Sequence, residues 1–505
     1  MTIPLFSIRT RRDWGIGQIT DLPACAAWIQ TAGHRLLQIL PAYELAAGET
    51  SPYGARTAFG IDPIYIDMGA VPDLDESTLR SALGEAGIRE IERLRRAPTV
   101  EYGPVRFVKE RALHAGYERF LEREWHRGTA RARALRSFID DSRAWEADLA
   151  LYVALRERHG GWSWESWPEP EKRREPEAME AARSELSLRI LEHQYGQWIA
   201  QEQWIAARSE TRRLGVELMG DLPFIVGHES ADVWAHTSQF RRDVSLGAPP
   251  DPFSVDGQDW GLPAFDWAAM DRDDLDWLKR RTERAAALFD RFRLDHVVGY
   301  FRMYVKRMGE KRGEFDPREE EAQIARGARV LSAFQAAAGA AKIVAEDLGV
   351  IPPFVRQTLT ALEIPGYRVL PWENDAGVFR DPKHFPRSSV ATWGTHDTPS
   401  FIAWWDELSA NDRTELARLA GVAPDASPDQ RWLPLVRLLL TASSELTLLL
   451  VTEILGSRDR INTPGTVGAA NWCYRLPMPL EDLSADPQVT RRMTALKDAV
   501  HESGR

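Results

Sequence analysis

The chain has 505 residues, 44% hydrophobic and 28% charged, with a net charge of −11. Such a chain is globular but too long for one simple core, so a barrel with inserted subdomains, or two to three domains, is expected. The acidic balance excludes a nucleic-acid partner, whose phosphates need a basic face, and the only cysteines, Cys25 and Cys473, exclude a disulfide framework and a cysteine-built zinc site.

In chain order, Met1 to Ser7 lacks a basic region leading into an apolar core, so a cytoplasmic protein is expected. Asp21 to Gln30 reads as a helix with Pro23 in its first turn, and Gly33 ends it. Leu36 to Pro41 reads as a first barrel strand. From about 105 to 213 the chain is rich in Arg, Glu, Ala and Leu. Its apolar residues fall at helical spacing, as in Trp145, Leu149, Tyr152 and Leu155. This predicts a largely helical insertion, interrupted by a loop over 160–170 that carries Trp162, Trp164 and Trp167. Lys172 to Arg183 reads as a solvated helix face.

Strand and helix signals alternate after Gly215. Strands are predicted over 216–221, 291–296, 342–347, 366–372, 388–395 and 446–454, with amphipathic helices such as 275–289 and 322–338 between them. Residues 247–263 are too rich in Gly and Pro for a regular element. They read as a long active-site loop, placed within 240–265. The run Leu446 to Val451 is the longest apolar stretch and is too short to span a membrane, so no membrane partner is expected. The pattern predicts an α/β protein, a (β/α)8 TIM barrel occupying 1–505 as one catalytic domain with inserted helical subdomains.

Four of the apolar runs end in carboxylates: 216–221 in Asp221, 292–295 in Asp295, 343–346 in Glu346 and 389–397 in Asp397. Strands buried on both faces read as continuous apolar runs, and in a barrel their C-terminal ends meet at one mouth. Several acids at one mouth suit glycosidic bond chemistry, which needs an acid and a nucleophile or base. Arg293 and Asp295 share a strand face, and a guanidinium beside a carboxylate favours its ionised form, as a nucleophile requires. An ordinary ion pair at a strand end fits the same spacing. Glu346 and Asp347 point to opposite faces, and periodicity does not choose between them. Apolar neighbours of Glu346 suit a general acid, while a cap or a satisfied strand-end acid fits equally. Asp397 reads either as a grip on sugar hydroxyls or as a cap ahead of Pro399, and Asp221 as a sugar contact or a turn residue. His228, Glu229 and Asp232 match no compact metal motif, so surface or turn roles are expected and no metal site is assigned. Tyr53, Trp260 and Trp372 are aromatic rings near these loops on which sugar faces could stack.

Taken together, these segments resemble the 4-α-glucanotransferases of glycoside hydrolase family 77. The resemblance rests on Pro4 to Arg9, Trp14 to Gly17, Ser51-Pro52-Tyr53, Gly220-Asp221-Leu222-Pro223, Ser230 to Trp234 and Gly247 to Asp251. It continues through Gly257 to Gly261, Arg293-Leu294-Asp295-His296, Ala345 to Gly349, Gly394-Thr395-His396-Asp397, Asn462 to Thr466 and Asn471-Trp472. The resemblance implies a barrel with a retaining mechanism in which Asp295 is the nucleophile, Glu346 the acid/base and Asp397 a transition-state stabiliser. It implies sugar-binding roles for Arg293, His296, His396, Asp221, Gln258, Trp260, Tyr53, Asp251 and Asn462. It also implies no metal or organic cofactor, with α-1,4-glucans such as maltooligosaccharides and amylose as donor and acceptor. The chain departs from the family pattern at Val297 to Arg302, Lys306 to Phe315 and Thr398-Pro399-Ser400, all in subsite loops. An α-1,4-glucan hydrolase of the same clan is the nearest alternative. A glucan-binding protein without activity is disfavoured because Asp295 and Glu346 are both present. A phosphate-handling barrel lacks its glycine-rich loop.

Overall fold

The computed structural model describes the chain except residues 251–256, 308, 309, 311, 376, 377, 467 and 469. Seven parallel strands follow one another around a single sheet: β1 (Leu36–Gln38), β2 (Glu217–Leu222), β3 (Arg291–Leu294), β4 (Lys342–Ala345), β5 (Gly366–Val369), β6 (Ser389–Thr392) and β7 (Leu446–Leu448). Every predicted strand is present, and all but β2 are shorter than predicted. The ring is closed by the first residues of the chain. Thr2 bridges Gln38 on one side and Leu450 on the other, with Thr2 N–H donating to Leu449 (2.8 Å) and Ile3 N–H to Gln38 (2.9 Å). Met1 to Ile3 is therefore the eighth stave, giving the (β/α)8 barrel.

Side chains alternate along each stave, and the two sets have different fates. Leu36, Met219, Val344, Tyr367, Val390 and Leu448 form one apolar cluster inside the ring. Leu37, Leu218, Phe292, Leu294, Ile343 and Ala391 face the surrounding helices and join the main core. The register pairs Asp221 with Arg293 and Arg293 with Val344. Arg293 therefore borders the interior cluster beside Val344, and Asp221 stands next to it, two residues beyond Met219 toward the C-terminal mouth.

Between β1 and β2 run the helices Glu76–Arg96, Tyr102–Phe120, Ala130–Arg158, Pro176–Glu185 and Ser187–Arg213. Helical structure thus begins earlier than the sequence pattern suggests, because Glu76–Arg96 is too charged to carry a clear stripe. Trp164 and Trp167 of the intervening loop are buried, while Trp162 is exposed. Helices Asp276–Leu288 and Glu320–Ala338 match the amphipathic segments predicted there.

The predicted irregular loop over 247–263 is a correction. Phe240–Ala248 and Gln258–Phe265 pair as antiparallel strands, and Met303–Arg307 and Glu314–Asp316 extend them into a four-stranded sheet. Gly247, one of the glycines that suggested a loop, serves the pairing instead. A side chain at Gly247 would meet the Gln258 carbonyl at 1.9 Å, so the close approach of these strands demands glycine, and the register shifts at this point. Asp232 is a second correction. It is buried and accepts hydrogen bonds from Trp277 Nε1 (2.8 Å) and Ala58 N (3.0 Å), so it holds elements together and has no surface or turn role.

On the outer face of β2, the side-chain position of Gly220 is filled by the Phe289 ring, whose nearest atom lies 2.3 Å from where a Cβ would stand. Gly220→Ala should destabilise the barrel by about 1–3 kcal/mol through overpacking. A thermal melt at least as high as wild type would show that this packing is not limiting.

Candidate active site

The mouth is built around one buried cation. Arg293 Nη1 donates to both oxygens of Asp221 (2.8 and 2.6 Å) and to Tyr53 Oη (3.2 Å), and Nη2 pairs with Asp295 Oδ1 (2.8 Å). Asp221 has no exposed surface. It lies within β2 and is not a turn residue. Burial weakens a guanidinium's hold on its proton, but Asp221 and Asp295 outweigh that, so Arg293 stays firmly charged.

Tyr53 reaches the same cluster from the segment after β1. Its hydroxyl donates to Asp221 Oδ2 (2.7 Å) and lies 3.1 Å from His396 Nε2, and its ring stacks on His396 with centroids 5.4 Å apart. Burial and the Asp221 charge push the phenol well above its ordinary pKa, so it remains a proton donor. His396 Nε2 also lies 3.4 Å from Asp397 Oδ2, and Asp397 Oδ1 accepts from Asn462 Nδ2 (2.6 Å). The capping reading of Asp397 fails, since the following helix Phe401–Glu407 is capped by Ser400.

Glu346 follows β4 two residues beyond the interior residue Val344, so alternation turns it toward the mouth. Its oxygens accept from His296 N (2.7 Å) and Leu348 N (3.2 Å). Desolvation, reinforced by the Asp295 charge and opposed by Arg293, raises its pKa to about 8. Asp347 turns the other way, where Tyr367 N (2.6 Å), Arg356 (3.1 Å) and Arg368 (3.2 Å) hold it outside the mouth. Three-dimensional alternation thus makes the choice that the sequence left open. Backbone bonds from Glu346 N to Leu294 O (2.9 Å) and from Val297 N to Glu346 O (3.1 Å) keep the Asp295 and Glu346 segments side by side.

His296 adopts a left-handed backbone (φ 46°), which turns the chain sharply after Asp295. Its ring meets Trp260 edge-on at 4.9 Å and Phe224 at 5.4 Å. Burial lowers its pKa to about 4 against the pull of Asp295, leaving a neutral imidazole. Trp260 Nε1 donates to Gln258 Oε1 (3.0 Å), so the antiparallel ribbon brings both residues to the rim. Asp251 lies outside the described residues. Trp372, half exposed, lies beyond β5 on the outer lip.

Two neighbours escaped the sequence reading as site residues. Trp472 packs against Tyr53 (5.7 Å) and His396 (5.6 Å) from a left-handed position (φ 62°), and Arg460 Nη2 donates to the Asp397 carbonyl (2.8 Å). The Asn471-Trp472 pair was the available signal for the first; the arginine carried none.

Residues 3–481 match the family model described as 4-alpha-glucanotransferase, glycoside hydrolase family 77. The chain belongs to that family. The 4-alpha-glucanotransferase of Thermus thermophilus is 30% identical over 94% of this chain and 92% of its own length. That of Chlamydia pneumoniae is 28% identical over 95% and 92%, and the chloroplastic/amyloplastic enzyme of Solanum tuberosum 29% over 93% and 81%. Among solved structures, the amylomaltase of Streptococcus agalactiae in complex with acarbose superimposes with a TM-score of 0.85 at 23% identity, covering 100% of this chain and 99% of that one. The protein is therefore a transferase of the 4-alpha-glucanotransferase type, and its relatives carry that name rather than a hydrolase's.

In this family member the protonated Glu346 is the form that suits its surroundings. A carboxyl whose pKa rises on folding adds stability at low pH, and that contribution is lost as pH climbs from its ordinary value through about 8. Glu346→Gln cannot ionise, so it should melt above wild type near pH 9 and close to it near pH 5. Equal melting temperatures near pH 9 would mean that ionised Glu346 is not strained by burial.

Proposed function

We propose that this protein moves α-1,4-glucan segments between maltooligosaccharide donors and acceptors by retaining double displacement. The observation that carries the reading is that two carboxyl groups on adjacent staves sit in opposite settings. Asp295 is paired with the Arg293 guanidinium, while Glu346 is desolvated and protonated to about pH 8. An acid paired with a cation and an acid buried without one suit different jobs.

In the first half-reaction Glu346 gives its proton to the glycosidic oxygen as Asp295 attacks the anomeric carbon. The bond from that carbon to the leaving oxygen breaks, and a glucosyl ester forms on Asp295. The shortened glucan leaves. The acceptor's 4-hydroxyl then attacks the same carbon, its proton passes to Glu346, and the ester bond breaks to free Asp295. Two inversions give net retention. This mechanism calls for carboxyl groups about 5–5.5 Å apart.

The surrounding residues take supporting roles in this proposal. Asp397, oriented by Asn462 and His396, faces the hydroxyls of the ring that distorts toward the oxocarbenium ion. Neutral His296 and Gln258 supply hydrogen bonds that need no counter-charge, and Trp260 offers a stacking face. Arg293, Asp221 and Tyr53 fix the nucleophile and border the same sugar. Acceptor glucan prevails over water when such stacking and loop cover keep the mouth dry.

Incubation with maltotriose should yield glucose and a ladder of longer oligomers at constant total reducing ends. Rising reducing ends would replace transfer with hydrolysis. Asp295→Asn and Glu346→Gln should each lower the rate by at least about 10³-fold, in line with loss of a covalent or acid/base group. The proton on Glu346 is required at the outset, so kcat/KM should fall as pH rises through about 8. A profile flat to pH 10, or an unimpaired Asp295→Asn, would overturn these assignments.

A further inference from the structure

Tyr53 is carried by a narrow antiparallel ribbon whose apolar residues Tyr43, Leu45, Ala55 and Ile61 join the main core. Tyr43 bridges Ile61 and Leu45 bridges Ala55. Glu44 N donates to Gly60 O (3.0 Å) and Arg56 N to Glu44 O (2.9 Å). At its tip, Glu49 Oε1 accepts from Thr50 N (2.8 Å) and Ser51 N (2.7 Å), which sets the turn leading into Tyr53. A two-stranded ribbon is marginal on its own, so something must hold its base.

The segment after β2 supplies part of that hold, with Ala231 N donating to Arg56 O (2.9 Å) and Ala58 N to Asp232 (3.0 Å), and the helical insertion supplies the rest. The Glu44 carboxylate, at the ribbon's base, is buried and accepts from Arg56 on the opposite strand, from Gln197 Nε2 (2.8 Å) and from His193 Nε2 (3.0 Å). His193 lies on helix Ser187–Arg213, and its other nitrogen, Nδ1, is 3.5 Å from Glu146 Oε1 on helix Ala130–Arg158. Gln194 donates to the second Glu146 oxygen (2.7 Å). Gln197 also accepts from Ile61 N (3.1 Å) and donates to Ile61 O (2.9 Å), as a neighbouring strand would. Glu44, His193 and Glu146 are all buried. Two carboxylates in such a place need two cations, and Arg56 and an imidazolium at 193 supply them. Burial works against charge on His193, but the two glutamates raise its pKa to about 9. Arg56 and His193 likewise hold Glu44 well below the usual carboxylate range despite its burial.

We infer that His193 is a positioning residue for Tyr53, and that the helical insertion contributes to the active site by clamping the base of this ribbon through Glu44. The inference rests on the glucan-transfer reading for Tyr53's place beside the sugar. The path is continuous: Glu146 to His193, His193 to Glu44, Glu44 across the ribbon to Arg56, and the ribbon to the Tyr53 hydroxyl on Asp221 and His396. The chemistry explains why a histidine sits there. One imidazolium presents N–H groups in opposite directions: Nε2 bonds Glu44 (3.0 Å), and Nδ1 faces Glu146 as an ion pair at 3.5 Å, whereas lysine's single ammonium and glutamine's amide do not span them in line.

The test uses the full-length protein. His193→Gln keeps one donor toward Glu44 and removes the charge, and His193→Leu removes both. Each should lower kcat/KM for maltotriose disproportionation by about tenfold or more, since misplacing an aligned group by about 1 Å can cost about 10²-fold. Tyr53→Phe should also lower it, and His193→Gln combined with Tyr53→Phe should be no worse than the more impaired single variant, because both act through one hydroxyl. Hydrogen exchange at the Glu44 and Arg56 amides should speed up at least about tenfold in His193→Gln, while β2 and β3 amides stay unchanged. Should His193→Leu fail to fold, Glu146→Gln takes its place with the same expectation. Losses that multiply in the double variant, or unchanged exchange at Glu44 and Arg56, would overturn the clamp. A wild type that makes no longer oligomers from maltotriose would instead overturn the glucan-transfer reading, leaving the exchange result to judge the clamp alone.

Discussion

Arg293 is a guanidinium almost without access to water, and the mouth of the barrel is arranged to satisfy it. An unpaired charge in that position would cost several kcal/mol, so partners on separate elements must arrive at it together. Asp221 comes from the neighbouring stave in direct register, Asp295 from two residues further along the same stave, and Tyr53 from the segment after β1. Asp221 and Asp295 supply the two negative charges, and the Tyr53 hydroxyl a further acceptor. Electrostatic satisfaction of one cation therefore fixes the nucleophile candidate, a phenol that borders it, and the spacing of two staves.

The same geometry separates the two acids. Asp295 leans on the cation. Glu346, one stave over, shares its mouth but takes its hydrogen bonds from the backbone of His296 and Leu348. Desolvation then dominates, and the carboxyl keeps its proton. No special residue beside Glu346 is needed for this. Arg293 bonds Asp295 directly and acts on Glu346 only through space, too weakly to offset its burial. Asp347, turned outward by strand alternation, is taken up by two arginines and plays no part in the mouth.

Much of this was legible in the sequence because fully buried parallel strands leave an unmistakable trace. Runs such as Ile343-Val344-Ala345 and Val390-Ala391-Thr392 have no polar alternation to confuse them, and a polar residue at their end stands out. The eighth stave, Met1 to Ile3, was not legible, since three residues carry no periodicity. The pairing of Phe240–Ala248 with Gln258–Phe265 was missed where it enters 247–263 because glycine signals a turn by default. Here it answers a steric demand from the facing strand that only the fold reveals. The choice between Glu346 and Asp347 needed the interior cluster to show which face of β4 is inside. Trp472 and Arg460 approach the site from a segment whose local pattern is that of an ordinary loop.

The helical insertion poses the hardest case for sequence reading and repays structural description most. Helix Ala130–Arg158 shows apolar residues at helical spacing, Leu149, Tyr152 and Leu155 among them, and these explain how it packs. They do not explain why His193 and Glu146 lie buried, each charged group being costly to remove from water. A purely packing role would be served better by apolar residues of similar volume, which often match or exceed a buried ion pair in stability. Retaining the charges makes sense when direction matters more than stability. An apolar contact lets a ribbon slide, whereas a carboxylate on one strand bonded from the other strand and from a neighbouring helix allows one register only. The barrel can carry its acids on staves whose positions are fixed by continuous hydrogen-bonded ladders. Tyr53 has no such ladder, so the insertion's buried charges stand in for one.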